Sequence, residues 1–472
     1  MSEFLESVSP SDASDPIGRF PVADASSVHA AVARARAAFP AWRDAGFEAR
    51  AAVLTHFATI VQGRSDELAE LIAREVGKAL WDARAEAKLL APKVGVTLGD
   101  GMHLVAPHSP APGQRATYRP RGTLAVYGPF NFPAHLPNGH IVPALATGNT
   151  VVFKPSELTP AVGAWMLERW REAGLPAGVL ECVQGGPATG RALAASHVDG
   201  ILFTGSWATG RALRQATLDT PEKLLALELG GSNPLIVCAD ADLELAVAEA
   251  ALSIAATTGQ RCTCARRLFV ARAVIDEFQE RLVRVLGGLR IGPPLEEGVF
   301  MGPLASLAAH QRFEAQRAGA RAAGGERVLH VEPELPPPYV GAGLVRFAKT
   351  RQLHPYQREE AFGPEAALYP VDDLDHAIAA ANDSDYGLAA SVMTRSRASY
   401  EHCVGRVRTG LLNWNKGTVG ASGRLPFGGS ARSGNDRPAG VSATLYCTAV
   451  QSHLESEASF DADALPPGMP RP

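Results

Sequence analysis

Four short runs rich in β-branched and aromatic residues, at 123–127, 150–153, 200–203 and 234–237, punctuate the middle of this 472-residue chain. Stretches of helical period lie between them, at 164–173 and 209–215. Strands that alternate with helices build parallel βαβ units, and a parallel sheet buries both faces. The expected class is therefore α/β, with ligands at the carboxyl ends of the strands. Upstream, Val53, Leu54, Phe57, Ile60 and Val61 recur at helical spacing, as do Leu68, Leu71, Ile72 and Val76, so residues 27–90 read as helices. Downstream, 243–257 reads as a helix, 268–270 as a strand and 274–286 as another helix. Residues 332–346 and 422–436, rich in Gly or Pro, read as loops, and the Pro-rich tail from 465 reads as disordered. Residues 103–120 lack a helical period and read as an extended arm; 443–451 reads as strand-like.

Composition narrows the function. The chain is 46% hydrophobic and 20% charged with a net charge of −4, so nothing advertises nucleic acid or an anionic membrane. No run approaches the length of an apolar membrane span, and the first residues lack the pattern of a secretory signal. Six cysteines in this length do not make a disulfide framework, and the expected compartment is the cytoplasm. The length suggests about three domains.

The chemistry concentrates in a few segments. Gly259-Gln-Arg-Cys262-Thr-Cys264 offers a thiol beside Arg261, and Glu228-Leu-Gly-Gly offers a carboxylate. A thiol attacks only as a thiolate and needs a base or an electropositive setting. Alternatives are an inert packing cysteine, or half of a metal site that lacks its second pair of ligands. Asn131, in Gly128-Pro-Phe-Asn-Phe-Pro after the first strand, is either a turn former or an amide donor to a developing oxyanion. Lys154 and Glu157 close the second strand, where they either grip ribose hydroxyls or form a solvated ion pair. Gly205 and Ser206 lie in a strand–turn–helix able to face a pyrophosphate, although no Gly-x-Gly-x-x-Gly fingerprint occurs. Glu360 and Phe362 precede a Gly-Pro turn and either hold a second ribose or end a strand.

These segments, in this order, resemble the aldehyde dehydrogenase superfamily from about residue 20 to residue 450. The resemblance implies a Rossmann-like cofactor domain (1–102 and 121–229), an α/β catalytic domain (230–436), and a small β oligomerisation arm with tail (103–120 and 437–472). It implies oxidation of an aldehyde to an acid with NAD as hydride acceptor and NADP as the weaker alternative. Cys262 then matches the nucleophile, Glu228 the general base and Asn131 the oxyanion amide. Lys154 and Glu157 match adenosine-ribose contacts, Gly205 and Ser206 the pyrophosphate turn, and Glu360 and Phe362 the nicotinamide-ribose holders. The two arms imply a homodimer or homotetramer. The N-terminal hairpin usual in the family looks shortened.

A narrower resemblance, carried by Asn131 through Pro143, Gly259 through Arg267 and Asn413-Trp-Asn-Lys416, is to the branch that oxidises N-succinylglutamate 5-semialdehyde in arginine breakdown. Arg437 is followed by Pro438 as in that branch, where many superfamily members carry Glu. The branch typically has Asn-His-Arg-Pro where this chain has Asn435-Asp436-Arg437-Pro438. A dicarboxylated substrate calls for cationic donors, and Arg261, Lys416 and Arg437 are the candidates. The alternatives are another carboxylated or aliphatic aldehyde and a non-catalytic relative, the latter opposed by the intact Cys262, Glu228 and Asn131. Release to coenzyme A or phosphate is disfavoured by the presence of Glu228.

Overall fold

The computed structural model describes residues 3–457, 459–461 and 463–472. Two parallel sheets organise the chain. The first has five strands in the spatial order Leu180–Cys182, Thr150–Lys154, Thr123–Tyr127, Gly200–Thr204, Leu224–Glu228, every neighbouring pair parallel. The chain starts in the centre, works to one edge and then returns to fill the other. The strand order therefore reverses between Thr123–Tyr127 and Gly200–Thr204, the kind of switch point beyond whose carboxyl ends sheets of this type bind ligands. The sequence explains the sheet: Thr123–Tyr127, Thr150–Lys154 and Gly200–Thr204 are buried at every position, so their side chains are apolar or hydrogen-bonded on both faces.

The second sheet has seven strands in the order Glu326–His330, Gly343–Arg346, Glu365–Val371, Ala265–Ala271, Asn233–Val237, Ala389–Met393, Leu411–Trp414. Only its outermost pair, Glu326–His330 with Gly343–Arg346, is antiparallel. Residues 234–237 belong to this sheet. The strand that completes the first sheet, Leu224–Glu228, has no signal of its own in the pattern, because its Leu-Leu-Ala-Leu run suits a helix equally well. The Pro- and Gly-rich stretch expected as a loop contains the Gly343–Arg346 strand.

The 103–120 segment forms His108–Ala111 and Gln114–Pro120, which join Thr448–Leu454 in a three-stranded antiparallel sheet. Residues 443–447 are a short helix rather than a strand, because Ala443, Tyr446 and Cys447 pack into the core beneath the first sheet. An N-terminal hairpin is present, pairing Phe4–Val8 with Pro16–Pro21. Helices Ala25–Asp44, Phe47–Gly63 and Ser65–Val76 follow as expected. Among the described residues no helix is long and apolar enough to cross a membrane.

Candidate active site

Helix Leu243–Ala255 runs into a 3-10 turn, Ala256–Gly259, that delivers the Cys262 loop. Thr257 and Thr258 adopt left-handed backbone, with φ of 53° and 54°. Such conformations cost β-branched residues about 1–3 kcal/mol each and persist only where the surroundings impose them. Here the Thr257 hydroxyl donates to Asp82 (2.6 Å) and accepts from Arg261 Nε (2.9 Å), and the Thr258 hydroxyl donates to the Gly302 carbonyl (2.9 Å). Gly259 continues the turn at φ 71°, and a Cβ there would lie 2.1 Å from the Gly363 carbonyl carbon, so no side chain fits. Asn233 then clamps the loop: its Nδ2 donates to the carbonyls of Cys262 (2.8 Å) and Cys264 (2.9 Å), while its Oδ1 accepts from the Ala389 amide (3.0 Å). Neither Asn233 nor Asp82 stood out in the sequence. The signal for Asn233 was an amide heading a fully buried strand, which must find partners.

Asn131 is buried, and its Nδ2 donates to the Gln260 carbonyl at 2.8 Å. One of its two N–H bonds is used to fasten it to the cysteine loop, and one remains. The half-buried Cys262 thiol is held well above the ordinary range by burial, then by the carboxylates of Glu360 and Glu228 and by Cys264. A Cβ on Gly231 would lie 2.5 Å from the Cys262 carbonyl oxygen and one on Gly230 would lie 2.2 Å from Glu360 Oε2, so the turn after Glu228 passes directly beside the cysteine loop and Glu360. Glu228 ends the edge strand of the first sheet and is 5% exposed. Its Oε1 accepts from the Ala439 amide at 3.4 Å, its Oε2 has no partner among the described residues, and burial raises its carboxyl well above the usual range. Glu360 accepts from the Gly231 amide at 3.0 Å; burial pushes its carboxyl up to about 7 against that hydrogen bond. Phe362, at φ 49°, packs edge-on to Phe130 with ring centres 5.8 Å apart.

The carboxyl edge of the first sheet carries the remaining candidates. Lys154 is buried and donates to the carbonyls of Pro155 (2.9 Å) and Gly185 (2.7 Å), with Glu157 at 3.8 Å. Burial lowers its ammonium, opposed by Glu157. Glu157 is half-exposed. Gly205 donates its amide to the Glu228 carbonyl at 3.0 Å, and Ser206 caps helix Trp207–Ala216 by accepting from the Thr209 amide at 3.3 Å. A half-exposed carboxylate, an ammonium and a helix N-terminus, all at carboxyl ends of strands of the first sheet, are the kinds of groups that meet ribose hydroxyls and a pyrophosphate.

The three candidate cations differ. Arg261 Nη2 pairs with Asp82 at 2.7 Å, and its guanidinium lies 5.1 Å from the centre of the Phe132 ring. Burial of Asp82 opposes its ionisation, but Lys78, Arg261 and the Thr257 hydroxyl together hold its carboxyl below the usual range. Arg261 is thus balanced by an internal acid, with Nη1 making no hydrogen bond among the described residues. Lys416 is 75% exposed, 4.0 Å from Glu249. Arg437 is exposed and has no ion pair among the described residues.

Residues 1–453 match the Aldehyde dehydrogenase family. The chain belongs to that family. Among similar members, N-succinylglutamate 5-semialdehyde dehydrogenase of Cronobacter sakazakii is 44% identical over 95% of this chain and 92% of its own. The protein of the same name from Burkholderia thailandensis is 41% identical over 95% and 93%. The solved NAD-dependent aldehyde dehydrogenase from Sinorhizobium meliloti superposes with a TM-score of 0.91 at 30% identity, covering 97% of this chain and 93% of that one. An NADP-dependent enzyme of E. coli gives 0.90 at 31% identity, covering 95% and 94%. Enzymes with both cofactor names therefore share this α/β architecture.

Proposed function

We propose that this aldehyde dehydrogenase oxidises N-succinylglutamate 5-semialdehyde to N-succinylglutamate with NAD. The observation that carries the substrate is identity above 40% with enzymes of that name over nearly the whole chain. The reaction is supported by Cys262, Asn131 and Glu228 converging from separate elements on one place. Cys262 Sγ, its proton lost to a nearby carboxylate, adds to the aldehyde carbon. The remaining Asn131 N–H and the Cys262 amide stabilise the oxyanion that forms. NAD held in the first sheet's half would supply the hydride acceptor; departure of hydride from the thiohemiacetal carbon leaves a thioester on Cys262. Glu228 then takes a proton from water as the oxygen adds to the acyl carbon; the C–S bond breaks and the acid departs.

The half 1–102 and 121–229 is assigned to the dinucleotide. Lys154 and Glu157 meet the adenosine ribose, Gly205 and Ser206 the pyrophosphate, and Glu360 and Phe362 the nicotinamide ribose. The Glu157 carboxylate repels a 2′-phosphate, which favours NAD over NADP. Residues 230–436 present Cys262. For the substrate's carboxylates, Arg261 offers its Nη1 beside the nucleophile, and Lys416 and Arg437 are cations with little internal competition. The test is a set of initial rates, read as NADH or NADPH absorbance, across a panel of semialdehydes. N-succinylglutamate semialdehyde with NAD should give the highest kcat/KM. An equal value for a neutral aliphatic aldehyde removes the substrate assignment, and an equal value with NADP removes the role of Glu157.

The 103–120 and 437–472 segments are assigned to assembly. Thr448–Leu454 is an edge strand, and Val450 and Leu454 on it are 63% and 89% exposed. An open edge with exposed apolar side chains invites pairing with a second copy. Light scattering at micromolar concentration should report a dimer or tetramer; a monomer would remove this assignment.

A further inference from the structure

The loop that carries Cys262 and the turn that carries Asn131 are both tied to one short helix, Leu80–Ala87. Asp82 and Glu86 stand four residues apart on it, so their side chains share a face one turn apart. Both are buried. Asp82 reaches the cysteine loop: it accepts from the Thr257 hydroxyl at 2.6 Å and from Arg261 Nη2 at 2.7 Å. Glu86 reaches the other segment: its Oε1 accepts from the amides of Ala134 and His135 at 3.0 and 3.1 Å. These amides open helix His135–Ala146, whose N-terminal residue Ala134 provides no side-chain cap.

Two buried carboxylates on one helix face call for cations. Lys78 supplies one: its buried ammonium meets Glu86 Oε2 at 2.6 Å and lies 3.7 Å from the centre of the Phe132 ring. Arg261 supplies the other, with its guanidinium 5.1 Å from the centre of the same ring. Phe132 follows Asn131 directly, so the cluster grips the neighbour of the amide as well as the neighbour of the thiol. Asn131 closes the circuit through its bond to the Gln260 carbonyl, two positions before Cys262, at 2.8 Å. The left-handed backbone at Thr257, φ 53°, persists only under constraint, and the Asp82 bond is the constraint that comes from this helix.

Resting on the reading of Cys262 as nucleophile and Asn131 as oxyanion donor, we infer that Asp82 is a positioning residue that fixes the Cys262 loop at its working distance from Asn131. Glu86 anchors the same helix to the Asn131 segment, so the helix serves as the spacer between the two groups. Asp82 touches neither substrate nor cofactor; it acts through Thr257 and Arg261. The separation matters because a misplacement of about 1 Å between reacting groups costs about a hundredfold in rate.

Thr257→Val tests this, because valine keeps the shape and the β-branch and removes only the hydroxyl. The readout is the rate of first-turnover NADH formation by stopped-flow absorbance, with a neutral aliphatic aldehyde so that no substrate carboxylate calls on Arg261. That rate should fall by about tenfold, with NAD binding unchanged. Thr257→Ser, which restores the hydroxyl, should recover most of it. Asp82→Asn reads the same contact from the helix, removes the charge that holds Arg261, and should also slow the first turnover; it carries the test if the valine variant does not fold. A double-mutant cycle with Asn131→Ala decides the role. Asn131→Ala alone should slow the first turnover by about 10²–10³-fold. On that background either substitution should cost no more than about twofold, because the separation it sets no longer matters. Fully additive costs mark a structural role only and overturn the inference, as does a wild-type first turnover in both Thr257→Val and Asp82→Asn. The underlying reading is judged separately. If Asn131→Ala keeps the wild-type rate, the oxyanion assignment has failed and the inference with it; if it slows while the other two variants do not, only the positioning role has failed.

Discussion

Cys262→Ser should cut aldehyde-dependent NADH formation by about four orders of magnitude or more, with dinucleotide binding unchanged. A hydroxyl gives up its proton far less readily than a thiol, and the setting makes this worse. The carboxylates of Glu360 and Glu228 already oppose an anion at position 262, after burial has done so. A thiol can still ionise when a neighbouring carboxylate takes its proton; a serine hydroxyl there has no comparable route. The backbone should not move, because the loop is held through the Cys262 and Cys264 carbonyls by Asn233 and not through the sulfur. Cys264→Ser is the matched control. The Cys264 thiol makes only a long contact of 3.9 Å to the Ala256 carbonyl, so that variant should keep most activity. Steady-state rates and titration of bound NAD by fluorescence measure both. An inactive Cys264 variant alongside an active Cys262 variant would reverse the assignment.

Glu228→Gln should separate the two halves of the reaction. NADH should appear in a burst close to one per site, followed by turnover slowed about 10²–10⁴-fold. Hydride transfer needs the thiohemiacetal but not the water; thioester hydrolysis needs the base. The amide keeps the size of the side chain and can still accept from the Ala439 amide. Packing is therefore preserved. Stopped-flow absorbance resolves the two phases. Steady turnover equal to wild type would take Glu228 out of the base role. The pH dependence has a definite sign. Burial raises the Glu228 carboxyl well above the usual range, so the deacylating activity of the intact enzyme is present above that raised value and fades as pH falls through it.

The chemical segments were readable in the sequence because each is local. A Gly-Gln-Arg-Cys loop, a strand ending in Lys154 and a turn at Gly205-Ser206 are specified by residues within a few positions of one another. Arg261 shows the opposite case. Read locally, it is a cation beside a nucleophile; in the fold it meets Asp82, 179 residues away, and its charge is largely met before any substrate arrives. Asn233 is similar, since its anchoring of the cysteine loop depends on strand Asn233–Val237 lying next to Ala265–Ala271.

By itself the sequence determined the α/β class and the family, and it located the first helices and five of the strands in the two parallel sheets. Side-chain periodicity reports how many faces of an element are buried, and motif spacing reports which groups a single loop can present. The tertiary structure alone decided which sheet each strand joins and in what order the strands lie. It also decided that residues 443–447 close the core as a helix and that Glu228 lines a cleft with residues some 200 positions later in the chain, among them Gly428 and Asn435. The physical reason is that strand partners, ion pairs and cavities are relations between distant segments. They are selected by the joint packing of the whole chain, which no window of neighbouring residues records.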